Sequence, residues 1–341
     1  MSVSDPPEEV PDREVVRALE RLGLVTPGGD VRFARLTGGV SSDIFRVDAG
    51  ARRFCVKRAL AKLKVAQDWR APVERSRYEY DWIRTARRLV PAAAPEPFGY
   101  DEEAGLIALS YYDPAEVRLW KEELRAGRVD IGFARAVGRG IGRIHAGTAG
   151  DPGVADLFRT DTIFHAIRLE PYLLATASRH PDLAARLQEL VETTAATKKA
   201  LVHGDVSPKN ILVRPEGPLF LDAECAWYGD PAFDPAFCLN HLLLKCLWTP
   251  GARERFLTAF DALASAYLAE VTWESAADLE RRIAHLLPGL FLARVDGKSP
   301  VEYLTREEDK DRVRRVARQV LAEPVERLAP IRAAWATELS T

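Results

Sequence analysis

The segment that constrains the fold most is residues 203–224, with the sequence HGDVSPKNILVRPEGPLFLDAE. It contains two short apolar runs, at residues 211–213 and 219–221. Between them lies Arg-Pro-Glu-Gly-Pro, a cluster of turn-forming residues, at positions 214–218. Two apolar runs that flank such a cluster are typical of a β-hairpin. The sequence therefore predicts a hairpin in this segment.

The predicted hairpin brings two oxygen-bearing side chains to its open end. If it is symmetric about Glu216, Ile211 faces Leu221 and Asn210 faces Asp222. Residues that pair across an antiparallel ladder have Cα atoms roughly 5 Å apart. An amide oxygen and a carboxylate at this spacing suit Mg²⁺, which prefers oxygen ligands and keeps nucleotide phosphates in its shell. The sequence thus predicts that Asn210 and Asp222 bind magnesium.

Asp205 precedes Asn210 in a turn that also contains Gly204 and Pro208. Phosphoryl transfer from a nucleotide requires a carboxylate that orients the attacking hydroxyl, metal ions on the phosphates and fixed cations. Asp205 fits the first requirement as the catalytic base, and Asn210 and Asp222 fit the second. The alternative is structural, because Asp, Asn and Gly are also common in turns. The three residues together favour the functional interpretation, provided that a phosphate-binding element lies upstream.

The bulk properties describe an ordinary globular protein. A chain of 341 residues suggests about two domains. A formal net charge of −2 provides no basic surface for nucleic acid. The four cysteines lack CxxC spacing, and the acidic, Pro-rich start is unlike a signal peptide. No apolar run is long enough to span a membrane. We therefore expect a cytoplasmic protein without nucleic-acid or membrane partners.

The pattern along the chain changes from strands to helices. After a short amphipathic helix capped by Asp12, alternating apolar residues predict strands between residues 31 and 57. Residues 74–89 have helical periodicity, and two more strands follow near residues 100–109. Beyond Tyr112, almost everything except the hairpin is predicted to be helical.

This order predicts an α+β protein of two lobes. Residues 1–109 form a small β-sheet lobe that binds the nucleotide, and residues 110–341 form a larger, mainly helical lobe that carries the catalytic and acceptor sites. A cleft between two such lobes is a usual place for a ligand.

A candidate phosphate-binding loop lies between the first two predicted strands. Gly38 and Gly39 have no Cβ, so backbone N–H groups there can approach phosphate oxygens, and Ser41 and Ser42 add hydroxyl donors. The alternative is an ordinary hairpin turn. The context that favours phosphate binding is Lys57, at the end of the next predicted strand.

Lys57 follows the apolar residues Phe54 and Val56, so the sheet is expected to hold its base. From there its ammonium could reach the α- and β-phosphates of a nucleotide. A partly buried lysine needs a carboxylate partner, and the following helix offers Glu74 and Glu79. We predict Glu79, because it lies within the body of the helix. The alternative for Glu79 is an exposed ion pair on the helix surface.

Further candidates surround these groups. Ser110 and Tyr111 are predicted to form the hinge whose backbone binds adenine. Trp227 and Tyr228 either line the acceptor pocket or are core aromatics. Arg294 either contacts the acceptor or belongs to a capped helix end with a surface ion pair.

At this point the chain resembles the aminoglycoside phosphotransferase and choline kinase superfamily, and within it most closely the methylthioribose kinase branch. The resemblance covers roughly residues 30–300. It is based on four segments: LTGGVSSDIFRV, VKRALAKLKVAQDWRAPVERSRYEYDW, LVHGDVSPKNILV and LDAECAWYGDPAFDPAF. The resemblance implies a two-lobed protein-kinase-like fold.

The resemblance also implies roles for individual residues. Such proteins have Asp-x-Glu where protein kinases have Asp-Phe-Gly, which matches Asp222 and Glu224 and makes Glu224 a metal or supporting group. It implies Asp205 as the base and Lys57 on the phosphates. Asp234, in a Phe-Asp pair, is expected to brace the catalytic loop.

The chain departs from methylthioribose kinases where the acceptor is recognised. That branch tends to have serine at the position of Asn210. It also has an arginine pair before a segment comparable to residues 289–297, where this chain has Leu286, Leu287 and Pro288. Methylthioribose is therefore not the expected acceptor.

We predict a small-molecule kinase that uses ATP and Mg²⁺ to phosphorylate a hydroxyl of a sugar-like, polyol or amino-alcohol acceptor. Two alternatives remain at this stage. One is an aminoglycoside phosphotransferase, and the other is a catalytically silent nucleotide-binding protein of the same fold. The sequence leaves both a monomer and a homodimer open.

Overall fold

The computed structural model describes residues 11–36, 42–60 and 74–341. The chain divides into two units, Met1–Val117 and Arg118–Thr341. This division lies a few residues beyond the predicted boundary between residues 109 and 110. The structure combines a five-stranded antiparallel sheet with a mostly helical remainder, which confirms the predicted α+β class.

The first unit contains a five-stranded antiparallel sheet with the order β1-β2-β3-β5-β4. Its strands are β1 Val31–Arg35, β2 Ser42–Ala49, β3 Arg52–Ala59, β4 Pro97–Asp101 and β5 Leu106–Ser110. Ala49 pairs with Arg52, so the turn between β2 and β3 has only two residues. Its first residue, Gly50, has a φ of 59°, a conformation that such turns require and that glycine adopts readily.

Helix α1, Arg13–Arg21, packs against one face of this sheet. The Asp12 side chain accepts a hydrogen bond from the Glu14 N–H and caps the helix, as predicted. Val15 and Leu19 of α1 belong to the same buried cluster as alternate residues of the strands. Those strand residues are Phe45, Val47, Phe54, Val56, Leu106 and Ala108. Burial of these apolar groups holds α1 to the sheet.

Helix α2, Arg75–Leu89, contacts β3, β4 and β5. Trp82 and Ala86 are buried, as the helical periodicity predicted. Glu79 is buried beside them, on the helix body.

The second unit is mainly helical. Its α-helices are α3 Trp120–Arg125, α4 Ile131–Thr148, α5 Pro152–Leu157, α6 Asp161–Phe164, α7 Ala175–Arg179, α8 Ala184–Ala196, α9 Phe233–Trp248, α10 Arg253–Leu268, α11 Ala276–Asp296, α12 Glu307–Ala322 and α13 Leu328–Ser340. A π-helical stretch, His165–Leu174, connects α6 to α7. Helix α9 is buried along nearly its whole length, which explains why most of its residues are apolar.

The second unit also contains more strands than the sequence predicted. The hairpin consists of β8 Ile211–Arg214 and β9 Gly217–Phe220, and β6 Arg118–Leu119 extends it to three strands. Two further strands, β7 Ala200–Val202 and β10 Trp227–Gly229, pair with each other. Strands of two or three residues are too short to show an alternating pattern, so the expectation of helix alone missed them.

Across the described part of the chain, no helix combines the length and apolar character needed to cross a lipid bilayer.

Candidate active site

The predicted hairpin is present, but its register differs by one residue from the prediction. Ile211 pairs with Phe220 and not with Leu221. The turn therefore consists of two residues, 215–216, and is not centred on Glu216. Gly217, which follows the turn, has a φ of 117°, which side-chain-bearing residues rarely adopt. This glycine allows the tighter turn that shifts the ladder.

The register changes what lies opposite Asn210. The Leu221 N–H donates to the Asn210 carbonyl over 2.8 Å, so Asn210 faces Leu221, and the predicted pairing with Asp222 is wrong. Asp222 has a φ of 68°, the one positive value among the described non-glycine residues. A left-handed aspartate leaves the regular strand, and such outliers are often found at functional sites. Asp222 thus follows the ladder and begins a turn closed by the Ala226 N–H on the Ala223 carbonyl.

The loop that carries Asp205 packs directly on this turn. Gly204 has a φ of 81°, and a Cβ there would lie 2.7 Å from the Cys225 Cβ. Only glycine fits at this close approach. The contact joins the Asp205 loop to the segment that carries Asp222 and Glu224 without any ligand.

Asp234, at the start of α9, fixes the backbone of the Asp205 loop through hydrogen bonds. Its carboxylate accepts the backbone N–H groups of His203 and Gly204 at 2.7 Å and 2.8 Å. This confirms the bracing role that the resemblance implied. The same carboxylate lies 3.1 Å from His145 Nε2, and His145 Nδ1 lies 2.9 Å from the Tyr267 hydroxyl. The loop backbone is therefore fixed by a fully buried polar network.

Asp205 is buried and contacts two cations. Arg168 Nη2 lies 2.9 Å from Asp205 Oδ2, and Lys209 Nζ lies 3.2 Å from the same oxygen. The Arg168 guanidinium also donates to the Gly204 carbonyl. Burial disfavours the carboxylate, but Lys209 and Arg168 outweigh it and hold the pKa of Asp205 well below its ordinary value. Asp205 is thus ionised at neutral pH.

Asn210 is tied to the same loop. Its Nδ2 donates to the Asp205 carbonyl over 3.1 Å, which turns the amide nitrogen towards the loop and leaves the amide oxygen as the group for a metal. Its backbone is held in turn by Ser207, whose carbonyl accepts the Asn210 N–H. Asn210 is thus hydrogen-bonded to the loop that carries Asp205, while its role as a ligand stays a prediction.

The carboxylates of Asp205, Asp222 and Glu224 affect the pKa values of neighbouring groups. Burial raises the pKa of the Cys225 thiol well above its ordinary value; Arg168 lowers it, and Glu224, Asp205 and Asp222 raise it. Asp205 raises the pKa of Lys209 against the effect of burial, and Asp222 raises it as well.

The donor set fits a magnesium ion. No three His, Cys, Asp or Glu side chains within residues 11–36, 42–60 and 74–341 are grouped to hold a metal by themselves. The predicted set is of another kind, since it combines the amide oxygen of Asn210 with the carboxylate of Asp222, both oxygen donors of the type that Mg²⁺ prefers.

In the first unit, Lys57 and Glu79 meet as predicted. Lys57 Nζ lies 2.7 Å from Glu79 Oε2, and both side chains are buried. Lys57 alternates with Val56 along β3, so it projects from the sheet face opposite α1, where α2 presents Glu79. The predicted pairing is confirmed, and the contact of Lys57 with phosphates stays a prediction.

The other predicted nucleotide contacts are only partly visible. Gly38, Gly39 and Ser41 lie outside the described residues. Ser42 is buried at the start of β2, opposite Ala59. At the predicted hinge, the Ser110 N–H donates to the Glu96 carbonyl and its hydroxyl accepts the Glu96 N–H. Tyr111 lies beside Arg46, whose Cζ is 6.0 Å from the ring centroid.

Two of the acceptor candidates have the contacts of core aromatics. Trp227 stacks on Phe164 with ring centroids 4.2 Å apart, and its Nε1 donates to Asp161 over 3.0 Å. The Tyr228 hydroxyl donates to the Lys199 carbonyl over 2.9 Å. Both are buried in β10, which favours the core interpretation of these residues.

Arg294 does not lie at the surface, as the alternative interpretation required. It is buried near the end of α11, and Nη1 donates to the Tyr172 hydroxyl over 3.1 Å. Within the described part of the chain it forms no ion pair with a carboxylate. The alternative of a surface ion pair therefore does not apply.

Sequence reasoning missed Arg168 and gave no role to Lys209. Lys209 lies four residues after Asp205 in the predicted loop, so its spacing was a usable signal. Arg168 lies in a π-helical stretch without any motif, and only the folded chain brings it to Asp205.

A model of the phosphotransferase enzyme family matches residues 32–279, well over half of the chain. The chain belongs to this family. Its membership confirms the prediction of a phosphotransferase.

Curated relatives include several methylthioribose kinases. The chain is 25 % identical to that of an Enterobacter species over 283 residues, which cover 71 % of this chain and 69 % of the relative. It is 24 % identical to that of Bacillus thuringiensis over 230 residues, which cover 60 % of this chain and 58 % of the relative. These similarities confirm the resemblance to the methylthioribose kinase branch.

Solved structures of this family have the same fold. An amicoumacin kinase in complex with AMP-PNP and Ca²⁺ matches with a TM-score of 0.54 and 14 % identity, covering 93 % of this chain and 98 % of the other. The Plasmodium vivax ethanolamine kinase gives a TM-score of 0.54 and 14 % identity, covering 99 % and 92 %. The protein-kinase-like fold is thereby confirmed.

Proposed function

We propose that this phosphotransferase is an ATP- and Mg²⁺-dependent kinase that transfers the γ-phosphoryl group to a hydroxyl of a small-molecule acceptor. The observation that carries the proposal is the environment of Asp205. This buried carboxylate is kept ionised by Arg168 and Lys209, and it shares its loop with Asn210. The relatives named above support the reaction class, although the matched segments cover only part of their length.

Asp205 would orient the acceptor hydroxyl and receive its proton. Because its pKa is low, it is a weak base, and positioning of the hydroxyl contributes more than early proton removal. This agrees with the loose transition state of phosphoryl transfer, in which the hydroxyl proton moves late. The cations on Asp205 would also lie near the oxygens of the transferred group.

Asn210 and Asp222, with Glu224 nearby, would hold the magnesium ion, which neutralises charge on the phosphates when it is bound. Lys57 would bind the α- and β-phosphates, and Glu79 would fix its position. The rigid bracing of the loop by Asp234 would keep Asp205 in place during transfer.

The proposal is tested by Asp205→Asn in an assay of ADP release. The panel contains sugars, polyols, sugar acids, amino alcohols and aminoglycosides. Asparagine keeps the shape of the side chain and removes its charge and basicity. We expect turnover to fall by about 10²–10⁴-fold, the usual contribution of a positioned base. ATP should still stabilise the variant in a thermal-shift titration.

Glu216→Gln is the matched control, because it removes an exposed carboxylate from the turn of the same hairpin. Its turnover should equal that of the wild type. An Asp205→Asn variant with wild-type turnover would exclude the proposed role. If the wild-type protein binds ATP and Mg²⁺ but does not release ADP with any acceptor of the panel, the catalytically silent alternative is correct.

A further inference from the structure

One face of α9 carries polar groups that the proposed reaction does not yet use. Phe237, His241 and Lys245 lie four residues apart, so they share a face of the helix. The helix begins at the Asp205 loop, where Asp234 holds the loop backbone. This face therefore leads away from the catalytic carboxylate within the second unit.

Lys245 is a buried ammonium group without a counterion. Only 1 % of the residue is exposed, and no carboxylate of the described chain lies within ion-pair distance of its Nζ. Its contacts are two aromatic rings, with centroids 4.2 Å away in Trp248 and 4.1 Å away in Tyr303. The nearby Glu302 is already paired with Lys121. A buried charge normally has an ionic partner, so this arrangement lacks an anion.

Arg294 offers the second cation. Its Nη1 is used by the Tyr172 hydroxyl and by Ser299. Its Nε is buried and has no hydrogen-bond partner within the described ranges. The guanidinium is thus anchored through one nitrogen, while the edge formed by Nε and Nη2 has no protein acceptor. That edge is the one with which arginine binds a carboxylate or phosphate through two parallel bonds.

His241 adds a third polar group. Its Nε2 is buried and has no partner in the part of the chain that the structure describes. Burial lowers the pKa of His241 well below its ordinary value, and Arg294 and Lys245 lower it further. A neutral imidazole of this kind can donate one hydrogen bond. Buried polar atoms nearly always have partners, so the two exceptions, Arg294 Nε and His241 Nε2, require an explanation.

A continuous set of contacts connects these groups to Asp205. Arg168 pairs with Asp205, and its Cζ lies 5.8 Å from the ring centroids of both Tyr172 and Phe237. Tyr172 contacts Arg294, whose Cζ is 5.5 Å from the same ring. Phe237 in turn lies 5.4 Å from the His241 ring, measured between centroids. Arg294 and His241 are therefore each separated from Arg168 by one aromatic residue, and Lys245 lies one helical turn beyond His241 on α9.

We propose that Lys245, Arg294 and His241 bind a negatively charged group of the acceptor, so that the substrate class is a small hydroxy compound with a carboxylate or a phosphate. This inference rests on the proposed kinase function. The acceptor hydroxyl would lie at Asp205, and the anionic end would lie among the three groups on α9 and α11.

The charge pattern argues against a polycationic acceptor. An aminoglycoside requires carboxylates around its amines, and its binding here would place further positive charge beside Lys245, Arg294 and Arg168. An anionic acceptor would supply the missing counterion and restore hydrogen bonds to all three groups. The remaining interpretation is that the lysine and the two rings form only a structural cation–π cluster.

The experiment uses the full chain and a matched series of acceptors. Glycerate, glycerol phosphate, glycerol and aminopropanediol share one carbon skeleton and differ in a carboxylate, a phosphate, no charge and an amine. Longer homologues with four to six carbons extend each arm. ADP release and thermal-shift titration are measured for each compound in the wild type and in Lys245→Met.

We expect one anionic arm to give the highest kcat/KM and to stabilise the wild-type protein. The arm that responds distinguishes carboxylate from phosphate. In Lys245→Met, we expect KM for that acceptor to rise about 30-fold or more, the loss typical of a buried charge contact. KM for ATP should not change. Arg294→Gln should have the same selective effect. If Lys245→Met folds poorly, Lys245→Arg replaces it in the experiment, and this variant should retain part of the affinity for the acceptor.

The result that overturns the inference is turnover on neutral or cationic acceptors alone, or an unchanged acceptor KM in Lys245→Met and Arg294→Gln. The absence of any stabilisation by the anionic compounds would also overturn it. Failure of the kinase proposal has another signature: the anions stabilise the protein through Lys245, yet no compound releases ADP.

Discussion

Two buried lysines, one in each unit of the chain, are held in opposite ways. Lys57 in β3 forms an ion pair with Glu79 at 2.7 Å, inside the protein. Lys245 in α9 is more deeply buried and contacts the rings of Trp248 and Tyr303. Among the described residues, Lys57 has a carboxylate partner and Lys245 has none.

The difference distinguishes a lysine whose counterion is part of the fold from a lysine whose counterion we propose to be a bound ligand. A lysine paired with a carboxylate stays charged and stays in place whether or not a substrate is bound. A lysine without an anion carries a penalty in the empty protein that a bound anion would remove. The two environments therefore predict opposite responses when a residue is removed.

Removal of the Glu79 carboxylate should have the largest effect on stability. Glu79→Leu leaves Lys57 buried without its ion-pair partner, and loss of one member of a buried pair costs about 3–5 kcal/mol. We expect the free energy of unfolding in urea to fall by at least the lower value. The double variant Lys57→Met with Glu79→Leu should recover much of the loss, because two apolar side chains can replace a buried pair at little cost.

Equal stability of the single and double variants would show that the ion pair does not determine the loss. The same experiment on Lys245 sharpens the comparison. Lys245→Met removes a charge that has no partner, so it should not destabilise the protein as Glu79→Leu does.

The Lys57 environment could be predicted from sequence, because local patterns define both partners. Alternation places Lys57 on a known face of a strand, and helical periodicity places Glu79 on the helix that follows. The hairpin was predictable for the same reason. Its register was not, because the difference between a two-residue and a longer turn depends on the conformation of Gly217, which the sequence pattern does not fix.

The surroundings of Lys245 could not be predicted in this way. Its two aromatic partners come from the end of α9 and from a loop far along the chain, and Arg294 comes from α11. A largely apolar helix that is buried on all sides lacks the exposed polar face of an amphipathic helix, so its sequence does not indicate which neighbours the lysine contacts. The contacts of Arg168 and His145 depend on tertiary packing in the same way.

The stability of the protein should depend on pH through the titration of Lys245. Burial, and to a smaller extent the positive charge of Lys121, lower the pKa of Lys245 from its ordinary value of 10.5 to about 7. The unfolded chain therefore binds this proton more tightly than the folded protein between these two values. The free energy of unfolding should rise with pH in that window, by up to about 1.4 kcal/mol per pH unit, and should show no such contribution below it.

Urea unfolding of the wild type and of Lys245→Met at about pH 6, 7.5 and 9 measures this contribution as the difference between the two proteins. The difference should change in favour of the wild type as the pH rises. Lys310→Met serves as the control, because it removes a positive charge from another helix of the second unit, α12. A pH-independent difference for Lys245→Met would mean that the ammonium is stabilised in the fold, as Lys57 is by Glu79.

The smallest effect is expected from Lys121, which lowers the pKa of Lys245 through its charge and not through a direct contact. Lys121→Gln removes the positive charge that lowers the pKa of Lys245 most and leaves Glu302, which raises it. The overall stability should change by less than about 1 kcal/mol, because the Lys121–Glu302 pair is largely exposed. In the Lys121→Gln background, the free energy of unfolding with Lys245 should nevertheless begin to rise, relative to that with Lys245→Met, at a higher pH. Arg128→Gln removes an exposed charge of the same sign that is paired with Glu123, and it should leave that pH unchanged. If both backgrounds shift it equally, net charge and not the contact region around Lys245 controls its titration.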